Sequence, residues 1–391
     1  MPDSPFSPWP CFTEEEADAV RAVLLSNRVN YWTGEQCRAF EEEFAVWSDC
    51  AHAIALANGT VALDVALKAL GIGPGDEVVV TPRSFFASAA SIVNAGAAPV
   101  FAEVDRDSQN LTADTIRAVL TPHTRALLCV HLAGWPCDME PIIALAEAHG
   151  LKVIEDCAQA HGARYRGRPV GSLGHVGAWS FCQDKIISTG GEGGMVTTND
   201  RALWSRMWSL KDHGKSWEAV HARRHPPGFR WLHESFGGNG RMTEMQAVLG
   251  RLQLRRLPDW HARRQANAER LWQCARRLPG LRVPELPADI EHAAYKCYLF
   301  VEPRQLKSGW DRERILDEIV ARGVPCFSGS CPELYREKAF DGTPWRPAER
   351  LPVARELGET SLMFLVHPTL SAAEIERTCA ALTDVLDEAA R

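Results

Sequence analysis

The chain has 391 residues, of which 46% are hydrophobic and 24% charged, a composition typical of a globular protein with two or three packed units. Its formal net charge of -7 argues against a nucleic-acid-binding protein, which would carry a basic excess. No apolar run is long enough to cross a bilayer, and the acidic, proline-containing start does not resemble a signal peptide. We therefore expect a cytoplasmic protein that is not bound to a membrane.

The chain contains 12 cysteines and 13 histidines, which are scattered along the sequence. They form neither a CxxC pair nor an HExxH motif, and Cys326 and Cys331 lack the spacing of zinc ligands. We therefore predict reduced, mostly buried cysteines and no bound metal.

From residue 55 to residue 200, helix-like and strand-like segments alternate. Helical patterns cover residues 59–72, 85–97, 112–120 (with Thr112 as N-cap) and 138–150, and strand patterns cover residues 76–82, 98–105, 125–131 and 151–157. The alternation predicts an α/β fold with a mainly parallel sheet between helices. Because such sheets bind ligands at the carboxyl ends of their strands, the candidate segments are residues 82–86, 131–135, 156–161 and Lys185.

After residue 200 the pattern changes. Residues 242–277 predict long helices, residues 284–303 are strand-like, and residues 311–323 and 371–390 predict helices, the last opened by Ser371. Prolines 279, 284 and 287 indicate a boundary between two domains. We predict a large domain with an N-terminal arm and connecting helices over residues 1–279, and a smaller C-terminal α+β domain over residues 280–391.

The segment "WSFCQDKIISTGGEGG" isolates Lys185 between an aromatic run and a cluster of glycines. This lysine can be interpreted as a surface charge, as a phosphate ligand or as a nucleophile that forms an imine with a carbonyl. The glycines match neither the Walker pattern nor GxGxxG, so a phosphate-binding lysine is poorly supported. Desolvation and nearby positive charge can lower the pKa of a lysine and free its lone pair. The interpretation of Lys185 as a nucleophile therefore remains possible.

Other candidates are each ambiguous alone. Asp156 follows an apolar strand and either caps the next turn or pairs with a cationic ligand group, such as a pyridinium nitrogen. Gly59 and Thr60 begin a helix whose free N–H groups suit a phosphate, although an ordinary N-cap explains them as well. Phe86 either stacks on a flat ring or fills the core.

The order of these residues along the chain is more specific than any one of them. A phosphate site at a helix start, an aromatic residue and an acidic residue at strand ends, and a lysine before glycines together describe a pocket for pyridoxal 5'-phosphate. In this pocket the cofactor phosphate lies at Gly59, Thr60 and Ser180. The ring lies under Phe86, its nitrogen faces Asp156, and its aldehyde joins Lys185.

Several segments also resemble one protein family. "NGTVALDVALKALGIGPGDEVVVTP", "VIEDCAQAHGA", "WSFCQDK" with "GGEGG", and "GGNGRMTEMQAVLGRLQL" are similar to blocks of the DegT-type sugar-nucleotide aminotransferases. The resemblance runs over nearly the whole chain and implies fold type I of the pyridoxal phosphate enzymes. It also implies that Gln159 lies near the phenolic oxygen of the cofactor. Asn239 would reach the cofactor phosphate of a neighbouring subunit, which implies a homodimer with shared active sites.

The resemblance implies an enzyme that moves the amino group of L-glutamate onto a nucleotide-linked keto sugar. The favoured substrate is a UDP-linked 4-keto-6-deoxy-N-acetylhexosamine, used for surface glycans such as lipopolysaccharide O-antigen. A dTDP- or GDP-linked 4-keto sugar, or a 3-keto sugar, is the alternative. A regulatory protein that binds pyridoxal phosphate without turnover is the contrasting class, and the intact Lys185 and Asp156 pair counts against it.

Overall fold

A computed structural model describes residues 6–390 of the chain. The strands are β1 (His52–Leu56), β2 (Glu77–Val80), β3 (Ala98–Phe101), β4 (Thr124–Val130), β5 (Lys152–Asp156), β6 (Arg164–Tyr165), β7 (Arg168–Pro169), β8 (Val176–Ser180), β9 (Gly194–Thr198), β10 (Leu281–Arg282), β11 (Ile290–Glu291), β12 (Cys297–Val301), β13 (Cys326–Phe327) and β14 (Ser361–Phe364). The helices are α1 (Glu14–Leu25), α2 (Gln36–Trp47), α3 (Gly59–Ala69), α4 (Ala87–Asn94), α5 (Ala113–Arg117), α6 (Met139–His149), α7 (Arg201–Lys211), α8 (Trp217–His221), α9 (Glu244–Ala275), α10 (Arg312–Ala321), α11 (Pro352–Thr360) and α12 (Ala372–Ala389).

The central sheet has seven strands in the order β1-β9-β8-β5-β4-β2-β3. β8, β5, β4, β2 and β3 pair in parallel, whereas β9 runs antiparallel to both of its neighbours. The predicted α/β class with a mainly parallel sheet is therefore confirmed.

Helices cover both faces of this sheet because successive side chains of a strand point to opposite sides. In β2, Val78 and Val80 belong to a core shared with α3, α4 and α7, whereas Val79 belongs to a core shared with α5 and α6. The predicted helix starts at Thr112 and Ser371 also hold. Each hydroxyl accepts a hydrogen bond from the amide three residues later, at 3.2 Å for Thr112 and 3.3 Å for Ser371.

The second half of the chain differs from the prediction in two places. Residues 242–277 contain one helix of 32 residues, α9, rather than several, although Pro258 lies inside it. A proline lacks the N–H of a helical hydrogen bond, but buried residues on both sides of Pro258, such as Leu257 and His261, hold this helix together by packing. Residues 284–303 form only β11 and β12, since prolines 284 and 287 cannot donate to a strand ladder.

A second hydrophobic core lies under the antiparallel sheet β10-β12-β14-β13 and is covered by α10 and α12. It also includes Phe6 and the side chains of Leu271 and Trp272 from the end of α9. In the other direction, Leu334 and Phe340 pack into the core of the central sheet. The boundary between residues 279 and 280 stays a prediction, since packing crosses it in both directions. None of the helices within residues 6–390 has the length and apolarity needed to span a membrane.

Candidate active site

The predicted strand-end segments meet at one edge of the central sheet. Asp156 is the last residue of β5 and Ser180 is the last residue of β8, and these two strands pair in parallel with Asp156 opposite Ala178. The backbone amide of His131, just after β4, donates to the Asp156 carbonyl at 3.1 Å. Because the strands run in the same direction, their carboxyl ends form a common surface where side chains from distant parts of the sequence converge.

Asp156 is buried at this edge, with 6% of its surface exposed, and both carboxylate oxygens are engaged. Oδ2 accepts a hydrogen bond from the Ser88 hydroxyl at 2.8 Å, and Oδ1 accepts one from the Ala158 amide at 3.1 Å. Burial raises the pKa of Asp156, while these hydrogen bonds and the nearby Lys185 ammonium act in the opposite direction. Asp156 thus caps a turn, as one interpretation of the sequence held, and is also a buried acceptor suited to a cation.

Gly59 and Ser180 lie side by side at the start of α3. A Cβ atom on Gly59 would come within 2.6 Å of the Ser180 Cβ, so only glycine fits there. The N-cap of α3 is Asn58, whose side-chain oxygen accepts a hydrogen bond from the Val61 amide at 2.9 Å. This arrangement leaves the amides of Gly59 and Thr60 at the positive end of the helix, next to a serine hydroxyl, where an anion can bind.

The glycines after Lys185 bring β9 close to this helix start. A Cβ atom on Gly194 would lie 2.3 Å from the Asn58 carbonyl oxygen, and Gly191 has a φ of 122°. The close approach and the positive φ expected from the sequence are therefore both present, and neither is open to a residue with a side chain.

Lys185 follows β8 and is held by its own backbone. Its amide donates to the Cys182 carbonyl at 3.0 Å, and its carbonyl accepts a hydrogen bond from the Trp9 indole at 2.8 Å. The side chain is 13% exposed, with Nζ 3.9 Å from Oδ1 of Asp184 and 5.2 Å from the centre of the Tyr295 ring. The amine is thus enclosed but not locked in a short ion pair, as a nucleophile requires.

The other predicted site residues occupy different surroundings. Gln159 is buried and accepts a hydrogen bond from the Ala133 amide at 2.8 Å, which joins the segments after β4 and β5. Phe86 is half-buried at the start of α4 and packs edge-on against Phe340, with ring centres 6.0 Å apart. Asn239 is exposed, so the structure does not bring its side chain into the cluster around Asp156 and Lys185 within the described part of this chain.

One buried group of potential metal ligands lies near Asp156. His131, Glu155 and Cys157 lie close together, with Nε2 of His131 3.0 Å from the Glu155 carboxylate. The Glu155 oxygens also accept hydrogen bonds from the Gly171 and Gly174 amides at 2.9 and 2.7 Å. These hydrogen bonds within the protein already satisfy the Glu155 carboxylate. We therefore interpret the three residues as a hydrogen-bonded cluster that fixes the end of β5.

The arrangement fits pyridoxal phosphate. Anion-binding amides and a hydroxyl lie at the start of α3, where a Cβ on Gly59 would fill the space, and a buried carboxylate lies at the end of β5. An enclosed lysine follows β8, as covalent attachment of an aldehyde requires.

A family model describing the DegT/DnrJ/EryC1/StrS aminotransferase family matches residues 10–383. The chain belongs to this family. Its members are pyridoxal-phosphate-dependent transaminases, and so is this protein.

Similar proteins agree with this assignment. A UDP-N-acetyl-3-dehydro-alpha-D-glucosamine 3-aminotransferase of Acidithiobacillus ferrooxidans is 38% identical over 88% of this chain and 87% of its own length. GDP-perosamine synthase of Caulobacter vibrioides is also 38% identical, over 89% of each chain. A solved aminotransferase from Psychrobacter cryohalolentis superposes with a TM-score of 0.97, at 62% identity over 98% of this chain and 99% of that one. The relatives named here therefore include enzymes of UDP- and GDP-linked sugars.

Sequence analysis missed several residues that contact the predicted site residues Asp156 and Lys185. Ser88 supports Asp156, Trp9 holds the Lys185 carbonyl, and Tyr295 lies beside the Lys185 amine. Ser88 could have been found as the polar residue on the buried side of a helix that starts at the same sheet edge. Trp9 and Tyr295 are far from Lys185 in sequence, and no local pattern connects them.

Proposed function

We propose that this transaminase moves the amino group of L-glutamate onto the ketone of a nucleotide-linked sugar. The observation that carries the proposal is the enclosed amine of Lys185 at the sheet edge that also holds Asp156 and the anion site at Gly59 and Ser180. Pyridoxal phosphate, when bound, supplies an aldehyde for covalent attachment and a cationic ring that takes up electrons from the bond being broken.

The roles of the side chains follow from their surroundings. Gly59, Thr60 and Ser180 would bind the cofactor phosphate through two amides and a hydroxyl. The Asp156 carboxylate, fixed by Ser88, would keep a proton on the ring nitrogen by stabilising its positive charge. Phe86 would cover one face of the ring.

Lys185 would serve as attachment point, base and acid in turn. Released from the cofactor by the incoming donor, its amine in the neutral form would take the proton from the α-carbon and return it to the adjacent cofactor carbon. Water would then release the donor as its keto acid. The sugar ketone would lose its oxygen as water when it takes up the amino group, and Lys185 would carry out the same two proton movements in reverse order. Gln159, whose side-chain oxygen is held by the Ala133 amide, would keep its NH₂ group free to donate to the phenolic oxygen.

We infer that the sugar ketone is at C-4 of a 6-deoxy N-acetylhexosamine linked to UDP, for surface glycan synthesis in the cytoplasm. The names of the relatives support a nucleotide-linked keto sugar but differ in nucleotide and in the position of the ketone. A 3-keto sugar, or a dTDP- or GDP-linked sugar, is therefore the alternative outcome of the test.

The test is a panel of keto sugar nucleotides. Purified holoenzyme is mixed with L-glutamate and with UDP-, dTDP- or GDP-linked 4-keto or 3-keto sugars, and each product is identified by mass and by the position of the new amine. Lys185→Ala serves as the control for uncatalysed amination. Failure of glutamate to convert the bound cofactor to its pyridoxamine form would contradict the proposal for every sugar.

We further propose a homodimer in which Asn239 of one subunit binds the cofactor phosphate of the other. Its backbone pairs with Asp212, the residue directly after α7, and its side chain is exposed and therefore accessible to a second copy. Mixed dimers of Lys185→Ala and Asn239→Ala subunits contain one site with both wild-type residues. Activity restored on mixing supports shared sites, and no restoration in verified mixed dimers contradicts them.

A further inference from the structure

A cavity of about 560 Å³ opens beside Asp184, the residue that precedes Lys185. It lies between the N-terminal segment, α9 and the antiparallel sheet, and Asp184 and Tyr295 form part of its wall. The Tyr295 ring centre is 5.2 Å from the Lys185 amine, so one wall of the cavity lies against the Lys185 side chain. None of the residues that line this cavity is among the site residues predicted from the sequence.

Arg264 of α9 lines the cavity with unused hydrogen-bond donors. Only 1% of its surface is exposed, and its Nη1 donates to the Tyr295 carbonyl at 3.4 Å. Its guanidinium lies 4.9 Å from the centre of the Trp9 ring, and within the described residues its Nε and Nη2 have no hydrogen-bond partner. A buried cation with free donors is costly unless a ligand completes it, and a planar guanidinium suits a carboxylate.

Lys296 supplies a second cation at the same cavity. Its Nζ lies 4.7 Å from the centre of the Tyr295 ring, so the Lys185 and Lys296 amines both lie against this ring. Burial lowers the pKa of Lys296 to about 8 and that of Arg264 to about 9, with Asp184 acting in the opposite direction on both. Both groups are therefore mainly cationic at neutral pH.

Asp184 is the acidic group of the cavity. Its Oδ2 accepts a hydrogen bond from the Tyr295 hydroxyl, and its Oδ1 is 3.9 Å from the Lys185 amine. The cavity thus presents two cations and, next to Lys185, one anion. A diphosphate would offer no positive group to the Asp184 carboxylate, whereas an amino acid offers two carboxylates to the two cations and an amino group to Asp184.

We propose that this cavity is the site of the amino donor, where Arg264 and Lys296 bind the two carboxylates of a dicarboxylic amino acid and Asp184 faces its amino group. The proposal rests on the proposed function, because it assumes that an amino acid and a keto sugar react in turn at Lys185. It adds the residues that select the donor.

The test separates the two half-reactions. The holoenzyme is titrated with L-glutamate, and conversion to the pyridoxamine form is followed by absorbance; the pyridoxamine form is then titrated with the keto sugar nucleotide. Arg264→Gln and Lys296→Met are expected to raise the glutamate concentration for half-saturation at least about tenfold, and to leave that of the sugar unchanged. Arg255→Gln, which removes an exposed arginine of the same helix, is the matched control.

A second readout involves no reaction. Glutarate, a dicarboxylate without an amino group, should bind the wild-type holoenzyme in a calorimetric titration and lose at least about tenfold in affinity in Arg264→Gln. Arg264→Lys should recover part of the glutarate affinity, because lysine restores the positive charge but not the planar guanidinium group. L-Alanine, with one carboxylate, should be affected less than glutamate by at least one of the two substitutions. Lys296→Met keeps the test valid if Arg264→Gln does not fold.

The outcomes are distinct. A rise in the sugar half-saturation with unchanged glutamate half-saturation would show that the cavity holds the diphosphate and would overturn the proposal. Unchanged values for both substrates would reduce Arg264 to a packing partner of Trp9 and also overturn it. If glutamate does not convert the wild-type holoenzyme at all, the proposed function fails before the variants are compared.

Discussion

The two sides of Lys185 are built in different ways. The proposed cofactor side is assembled from strand ends of one sheet, and its polar groups are hydrogen-bonded within the protein, as the two engaged oxygens of Asp156 show. The proposed donor side joins the N-terminal segment, α9 and the small antiparallel sheet, and within residues 6–390 the Nε and Nη2 atoms of Arg264 have no hydrogen-bond partner. A prearranged scaffold suits a resident cofactor, whereas open donors suit a ligand that enters and leaves with each turnover.

The largest effect should follow from Lys185→Ala, because this amine is the point where the two sides meet. We expect turnover to fall by about four powers of ten, since attachment, base and acid are lost together. The rate is measured with glutamate and the best keto sugar, and cofactor content is measured in parallel. A variant that keeps near wild-type turnover would show that another group does the proton transfer.

The substitution Asp156→Asn tests the cofactor side directly. Loss of the carboxylate charge should slow conversion by glutamate by roughly two to four powers of ten, because the positive ring nitrogen loses its partner. Glutamate half-saturation should change little, since the donor side is intact. Stopped-flow absorbance measures both quantities, and an unchanged rate would mean that the ring nitrogen is held by another residue.

Ser88→Ala removes only the support of that carboxylate. The lost hydrogen bond of 2.8 Å should slow the same step by about threefold to tenfold, and the pKa of Asp156 should rise further. Ser84→Ala is the matched control, because its hydroxyl contacts Ser88 at 3.0 Å but does not contact Asp156. Equal effects of the two substitutions would assign Ser88 to packing alone.

The smallest effect concerns the anchoring of the N-terminal segment on the donor side. Partial burial acts to raise the pKa of Glu374, but hydrogen bonds from Ser371 and Ser7 outweigh it and lower the pKa to about 2. This carboxylate therefore stabilises the fold above its ordinary pKa of 4.5, and the contribution is lost as the pH falls from 4.5 towards 2.

Glu374→Gln should lower the midpoint of thermal unfolding by roughly 2–4 °C at pH 7. The substitution weakens two contacts, the one with Ser371 at the start of α12 and the one with Ser7 of the N-terminal segment. The difference from wild type should shrink as the pH falls below about 4.5, provided that unfolding stays reversible. Calorimetry at several pH values measures this, and a pH-independent difference would show that the carboxylate charge is not involved.

Most residues of the cofactor side could be predicted from the sequence. Asp156 ends β5, Ser180 ends β8 and Lys185 follows β8, so their meeting at one edge follows from the parallel pairing of these strands. Arg264 could not be found in this way, because it is one of several arginines in α9 and only packing reveals that it faces a cavity. Pro258 misled the prediction of α9 for a similar reason, since tertiary contacts outweighed a local helix breaker.

The central claim is that Lys185 alone captures the aldehyde of the cofactor. Reduction of the purified holoenzyme with borohydride, followed by proteolysis and mass spectrometry, identifies the lysine that carries the cofactor. We predict a single pyridoxyl-modified peptide, with the label on Lys185 and none on Lys296, although Lys296 lies against the same tyrosine ring. A stoichiometric label on Lys296, or on any other lysine, would contradict it.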